Sequence, residues 1–131
     1  MRPAFFSACL ALAATGAAAQ EVNCTDPQSQ MEMTACASLA YEAADGDLNA
    51  AWPLAMDMAR RLDQSLQPDQ KPAVEILRDA QRQWIAFRDA ACSAESLLAR
   101  GGTMQNQLFY ICMERLTRQR TEDLRRFGEV N

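Results

Sequence analysis

Four cysteines, Cys24, Cys36, Cys92 and Cys112, constrain this chain more than any other feature. The last two stand almost symmetrically about a glycine pair: Cys92 lies nine residues before Gly101, and Cys112 lies ten after Gly102. Apolar residues recur at steps of three and four on both sides of that pair, the spacing of a buried helical face. Folding the chain back at the glycines therefore brings the two sulfurs to one level and predicts an antiparallel helical hairpin closed by Cys92–Cys112. The same register sets Leu77 against Phe127, Ala80 against Leu124, Trp84 against Arg120 and Arg88 against Leu116. Of the three connectivities that four cysteines allow, Cys24–Cys36 remains, a bond that folds the irregular leading segment onto the first helix.

A disulfide reading requires an oxidising compartment, and the N-terminus supplies a route to one. Met1 and Arg2 make a short positive start, PAFFSACLALAATG an apolar run, and Ala17-x-Ala19 a small-residue cleavage pattern, so residues 1–19 read as a signal peptide cut before Gln20. Cys9 lies too near the start to follow a full apolar core, which argues against lipid attachment. The apolar run is shorter than the roughly 20 residues that span a bilayer, and no later segment is both that long and free of charge. Residues 20–131 then form one exported domain with no membrane span, periplasmic or secreted.

Charge narrows the partners. The formal net charge is -4, and Gln20 to Gln70 hold nine acids against Arg60 and Arg61. That balance disfavours nucleic acid and favours a cationic partner, with Asp45 and Asp47 as candidate partner-binding residues. With no histidine and no C-x-x-C spacing, a zinc site is disfavoured and the commonest neutral-pH general base is absent. An enzyme would have to rely on paired carboxylates such as Asp45 with Asp47 or Glu122 with Asp123. Adjacent acids on helices and turns more often serve solubility and capping, so no catalytic residue, metal or cofactor is assigned.

Helical periodicity runs through Ala37, Tyr41, Ala44, Leu48, Ala51, Ala55, Ala59 and Leu62. Thr25 or Asp26 is placed to cap that helix, with Pro27 in its first turn. Gly46 and Pro53 argue for a kink near Trp52, or for two helices meeting near Asp45 to Asp47. A second stripe, Val74, Leu77, Ala80, Trp84, Phe87, Ala91, Ala94 and Leu98, ends at the glycines. A third passes through Met104, Leu108, Cys112, Leu116, Arg120, Leu124 and Phe127. No run alternates as a strand does. The fold class expected is all-α, a small antiparallel helical bundle of three to four helices stapled by two disulfides. Arg88, one turn from both Trp84 and Cys92, is expected to lie along the hairpin seam and bond a carboxylate or a helix-end carbonyl. Trp84, Tyr41 and Trp52 are expected in the core.

Taken together, Cys24, Met31-Glu32-Met33-x-x-Cys36, Leu48-Asn49, Leu77-x-x-Ala80-Gln81-x-x-Trp84-x-x-Phe87-Arg88-Asp89-x-x-Cys92, Gly101-Gly102-Thr103-Met104, Cys112 and Leu116-Thr117-x-x-Arg120-x-x-Leu124 resemble the LprI-like lysozyme inhibitor family. The segment from Trp84 to Cys92 is the most distinctive. The resemblance implies an exported, disulfide-bonded, all-helical bacterial domain that binds protein, and inhibition of lysozyme-type muramidases as the function. Trp84, Arg88, Asp89, Gly101 and Gly102 carry it as structural positions, and no inhibitory residue transfers with it. The other reading is a structural or interaction module of the cell envelope that binds a different protein.

Overall fold

The computed structural model describes residues 22–129; the leader read at 1–19 and its cut before Gln20 lie outside them. Three helices account for most of what is described: α1 (Gln30–Asp63), α2 (Ala73–Ser96) and α3 (Gln105–Glu129), with a short 3-10 turn at Leu97–Ala99 after α2. The chain runs up, down and up, so α2 is antiparallel to both neighbours while α1 and α3 run parallel. The Gln30 amide bonds Gln107 at 2.7 Å at one end of that parallel pair. At the other end Gly128 lies against the backbone of Leu54 and Ala55.

Helix α1 begins later than Thr25 or Asp26 would place it. Its cap is Ser29, whose Oγ accepts from the Glu32 N–H at 3.2 Å, while the Glu32 carboxylate accepts from the N–H groups of Ser29 at 3.0 Å and Gln28 at 2.6 Å. This reciprocal capping box satisfies several of the donors that a helix start leaves open. The backbone N–H of Gln28, with that of Ser29, holds the Glu32 carboxyl below the ordinary carboxylate range.

Neither Gly46 nor Pro53 breaks α1, which is one helix of 34 residues. A glycine in a helix interior costs about 1 kcal/mol and a proline about 3 kcal/mol relative to alanine. The long face formed by Ala37, Ala44, Leu48, Ala51, Ala55, Met56, Met58 and Ala59 is buried, and its packing offsets those costs. Leu62, expected on that face, is exposed.

The small side chains on α1 decide how the bundle packs. Alanine at 44, 51, 55 and 59 meets an α3 face that buries Thr117, Thr121 and Leu124, and the α1–α3 contact is the most extensive between helices among the described residues. A side chain at Gly128 would bring its Cβ within 3.1 to 3.2 Å of the α1 backbone at Leu54 and Ala55. A larger residue would press on that backbone, so glycine suits the close approach at that end. Leu48, Ala51, Ala55 and Leu124 form one core cluster, with Trp52, Leu77, Trp84 and Phe127 packed against it. Cys92, Cys112 and Met113 form a second, flanked by Tyr41, Phe109 and Leu116.

Both disulfides are those expected: Cys24–Cys36 with Cα atoms 5.5 Å apart and Cys92–Cys112 with Cα atoms 5.3 Å apart. The hairpin register also holds, since Leu77 and Phe127 share a cluster and Arg88 reaches Thr117, next to Leu116. The expected inward face of α2 is rotated, however. Phe87 is 61% exposed and Leu98 85% exposed, and Ala80 and Ala94 also face solvent; the buried residues are Gln81, Arg88, Cys92 and Ser96. Counting back from Cys92 by helical steps gives that face directly, one residue out of phase with the apolar stripe.

Helix α2 has no side-chain cap of its own. Instead the carboxylate of Asp63, the last residue of α1, accepts from the N–H groups of Ala73 at 2.6 Å and Val74 at 3.2 Å. The last residue of one helix therefore caps the next. Replacing it by Asp63→Ala is expected to lower stability by about 1 kcal/mol, measured as a reduced denaturant midpoint at unchanged slope. For Glu32, whose carboxyl pKa is lowered in the fold, the stabilisation is present above the ordinary carboxylate range and lost as pH falls through the lowered value. The stability gap between wild type and Glu32→Gln is accordingly expected to close on acidification.

Candidate functional site

The segment that reads as most reactive in the sequence is built around Arg88. Helical spacing places Trp84 and Arg88 on one face of α2 and Tyr41 and Asp45 on one face of α1, and the bundle brings Thr117 of α3 to the same point. Arg88 is only 8% exposed at its side chain, with Nε and Nη2 both 2.9 Å from Asp89 Oδ1. Nη1 lies 3.4 Å from Thr117 Oγ1 and 3.8 Å from Asp45 Oδ1. The guanidinium carbon stands 5.0 Å from the Trp84 ring centroid and 5.6 Å from that of Tyr41. Such contacts stabilise a desolvated cation. Burial pushes the Tyr41 phenol above its ordinary value, opposed by the charge of Arg88.

Arg88 does bond a carboxylate, that of its neighbour Asp89, with Asp45 of α1 3.8 Å away. What the sequence hid is that the node joins all three helices. Trp84, Tyr41 and Trp52 are half-buried, in contact with the core without being enclosed by it. A second polar contact, missed in the sequence, lies two turns away: Arg120 Nε donates to Gln81 Oε1 at 3.0 Å.

Asp45 and Asp47 do not form one acidic patch. Two residues apart on a helix they point to different faces: Asp45 turns to Arg88 of α2 and accepts from Asn49 at 3.1 Å, while Asp47 lies 3.7 Å from Arg118 of α3. Glu122 and Asp123 diverge similarly, towards Arg125 at 2.9 Å and Arg126 at 3.7 Å. Among the described residues no group of three or more His, Cys, Asp or Glu is arranged to hold a metal ion, and no helix is long and apolar enough to cross a membrane.

The glycine turn is ordered by its own bonds. Gly101 takes a left-handed φ of 76° and its N–H donates to Gln105 Oε1 at 3.0 Å, while the Gly102 N–H donates to Ala99 O at 2.9 Å. Around this turn stand Leu97, Leu98, Met104 and Arg100, all exposed. Leu98 is the most exposed large apolar side chain among the described residues. Apolar periodicity had placed it in the core; its position directly before the glycine turn was the contrary signal.

Residues 23–124 match the family model described as Lysozyme inhibitor LprI, a span that takes in both disulfides, the Arg88 node and the glycine turn. The chain belongs to the LprI family. An uncharacterized protein of Rhizobium meliloti (strain 1021) is 37% identical over 112 residues, covering 83% of this chain and 81% of that protein. The crystal structure of a DUF1311 family protein from Pseudomonas putida KT2440 superposes with a TM-score of 0.63 at 22% identity, covering 79% of this chain and 98% of that one, which supports the fold. LprI is by its description an inhibitor family, and lysozyme binding is what membership suggests. Two disulfides point the same way on location, outside the cytoplasm.

Because the Arg88 guanidinium is already committed within the chain, its loss should be felt as stability. Arg88→Met keeps the stem but removes the charge, and is expected to cost about 1 to 3 kcal/mol through lost hydrogen bonds and ring contacts. Arg88→Lys should fall between, since a point charge cannot reproduce the planar contacts. Chemical denaturation of the oxidised protein measures both.

Proposed function

We propose that this LprI-family protein is exported through the leader at residues 1–19 and inhibits lysozyme-type muramidases as a rigid protein ligand. The observation that carries the reading is the family match across 23–124. Net acidic charge supports it, since it would steer a cationic enzyme towards the bundle.

The contact surface we assign is the end of the bundle at the glycine turn. The Cys92–Cys112 bond closes the hairpin behind it. Leu98 supplies an apolar anchor of the kind that dominates protein interfaces once it is enclosed. The Arg100 N–H donates to the Leu97 carbonyl at 3.1 Å, and its exposed side chain has no hydrogen-bond or ion-pair partner among the described residues. A muramidase cleft works through two carboxylates, and a guanidinium carried on a protruding turn is suited to bind them. Inhibition would follow from occluding the cleft, with no covalent chemistry. Asp45 and Asp47 fit this scheme less directly, because each already lies near an arginine of its own chain.

The test is inhibition of chicken-type, goose-type and bacterial lysozymes by the oxidised protein. Inhibition of at least one is expected, reduced about tenfold or more by Leu98→Asp and by Arg100→Glu, each change corresponding to at least about 1.4 kcal/mol. If no lysozyme is inhibited at high excess, the envelope interaction reading replaces this one. If inhibition survives both substitutions, the assigned surface is wrong.

A further inference from the structure

At the opposite end of the bundle a groove of about 320 Å³ lies between Leu62 of α1, the start of α2 and the end of α3. That volume falls at the lower end of the range for small-molecule sites, about 300 to 1,000 Å³. Its walls are apolar, formed by Ile76, Leu77, Leu124 and Phe127, with Arg120 and Asp123 at the polar margin. Ile76 is 52% exposed although it faces this groove.

Arg120 is the unusual member. It is half-buried, its Nε is held by Gln81 Oε1 at 3.0 Å, and Nη1 and Nη2 have no hydrogen-bond or ion-pair partner among the described residues. Every other half-buried or buried arginine there, Arg88 and Arg125, has a carboxylate partner. Asp123 does not supply one: it lies beyond ion-pair distance from Arg120 and 3.7 Å from Arg126. Burial pushes the Arg120 pKa below its ordinary value, opposed by the charge of Asp123. A guanidinium in this condition gains most from a carboxylate that binds both terminal nitrogens.

We propose that this groove binds a single-chain amphiphile with a carboxylate head, a medium-chain fatty acid by class. The head pairs with Nη1 and Nη2 of Arg120, and the hydrocarbon tail covers Ile76, Leu77, Leu124 and Phe127. This site is separate from the glycine turn, so it stands or falls independently of muramidase inhibition.

The experiment is an NMR titration of the oxidised protein with decanoate, held below its micellar threshold, beside decanol as the neutral probe of equal length. Decanoate is expected to shift resonances of Ile76, Leu77, Leu124, Phe127 and the Arg120 Nε–H, and to bind about tenfold more tightly than decanol. Arg120→Gln should remove that preference while leaving decanol binding unchanged, and Arg120→Lys should restore part of it. Equal affinity for the two probes, shifts located elsewhere, or no saturable binding would overturn the proposal. So would concentration-dependent dimerisation that perturbs the same residues without ligand, since the groove would then belong to a second copy. If Arg120→Gln fails to fold, the decanoate-to-decanol comparison on the wild type still decides.

Discussion

The close parallel packing of α1 on α3 is the constraint from which the rest of the structure follows. Two helices can approach closely only where the side chains between them are small. Here alanines line α1, threonines line α3, and Gly128 lies against the α1 backbone at Leu54 and Ala55. Such a contact gains mainly from dispersion and close fit, because an alanine or threonine buries little apolar area. It also explains why α1 runs unbroken past Gly46 and Pro53: a break would have divided the one surface on which α3 lies.

The second helix packs Leu77 and Trp84 against the core and adds anchors of a different kind. Its buried residues are Gln81, Arg88, Cys92 and Ser96, three polar side chains and a half-cystine. Polar groups taken out of water must find partners or destabilise the fold, and each finds one: Gln81 holds Arg120, Arg88 holds Asp89 and Thr117, and Ser96 donates to the Ser93 carbonyl. Of these, the bonds of Gln81 to Arg120 and of Arg88 to Thr117 run between helices, and they set the rotation and height of α2 on α3. The disulfide anchors its far end and the Asp63 cap its start. What results is a bundle with two dissimilar ends, an exposed turn bearing Leu98 and Arg100 and an apolar groove bearing Arg120.

Much of this was legible in the sequence where covalent geometry governs. Cys92, Cys112 and the glycines between them were enough to set the hairpin, its register and both disulfides, because sulfur–sulfur bonding admits few arrangements. The α1 stripe was legible too, since its buried residues are the apolar ones. Helix α2 was misread by one residue: its buried face is polar, while Phe87 and Leu98 are apolar and exposed. Hydropathy has no means of detecting a buried arginine whose partners come from other helices. The Ser29 to Glu32 capping box was visible in the letters S-x-x-E but lost to the nearer proline. Asp63 as cap of a helix ten residues on, Gly128 as a spacer and the Arg120 groove depend on tertiary approach and leave no local mark.

Native-state hydrogen exchange of the oxidised protein tests the central claim, that the α1–α3 pair is the stable unit and α2 is added to it by polar and covalent anchors. Amides at mid-α1 from Ala44 to Ala59 and in α3 from Cys112 to Leu124 should exchange only through global unfolding. Those of α2 from Leu77 to Ile85 should exchange through a smaller opening, at lower free energy. If α2 is protected as fully as α3, or if the middle of α1 opens first at Gly46 or Pro53, the account is wrong.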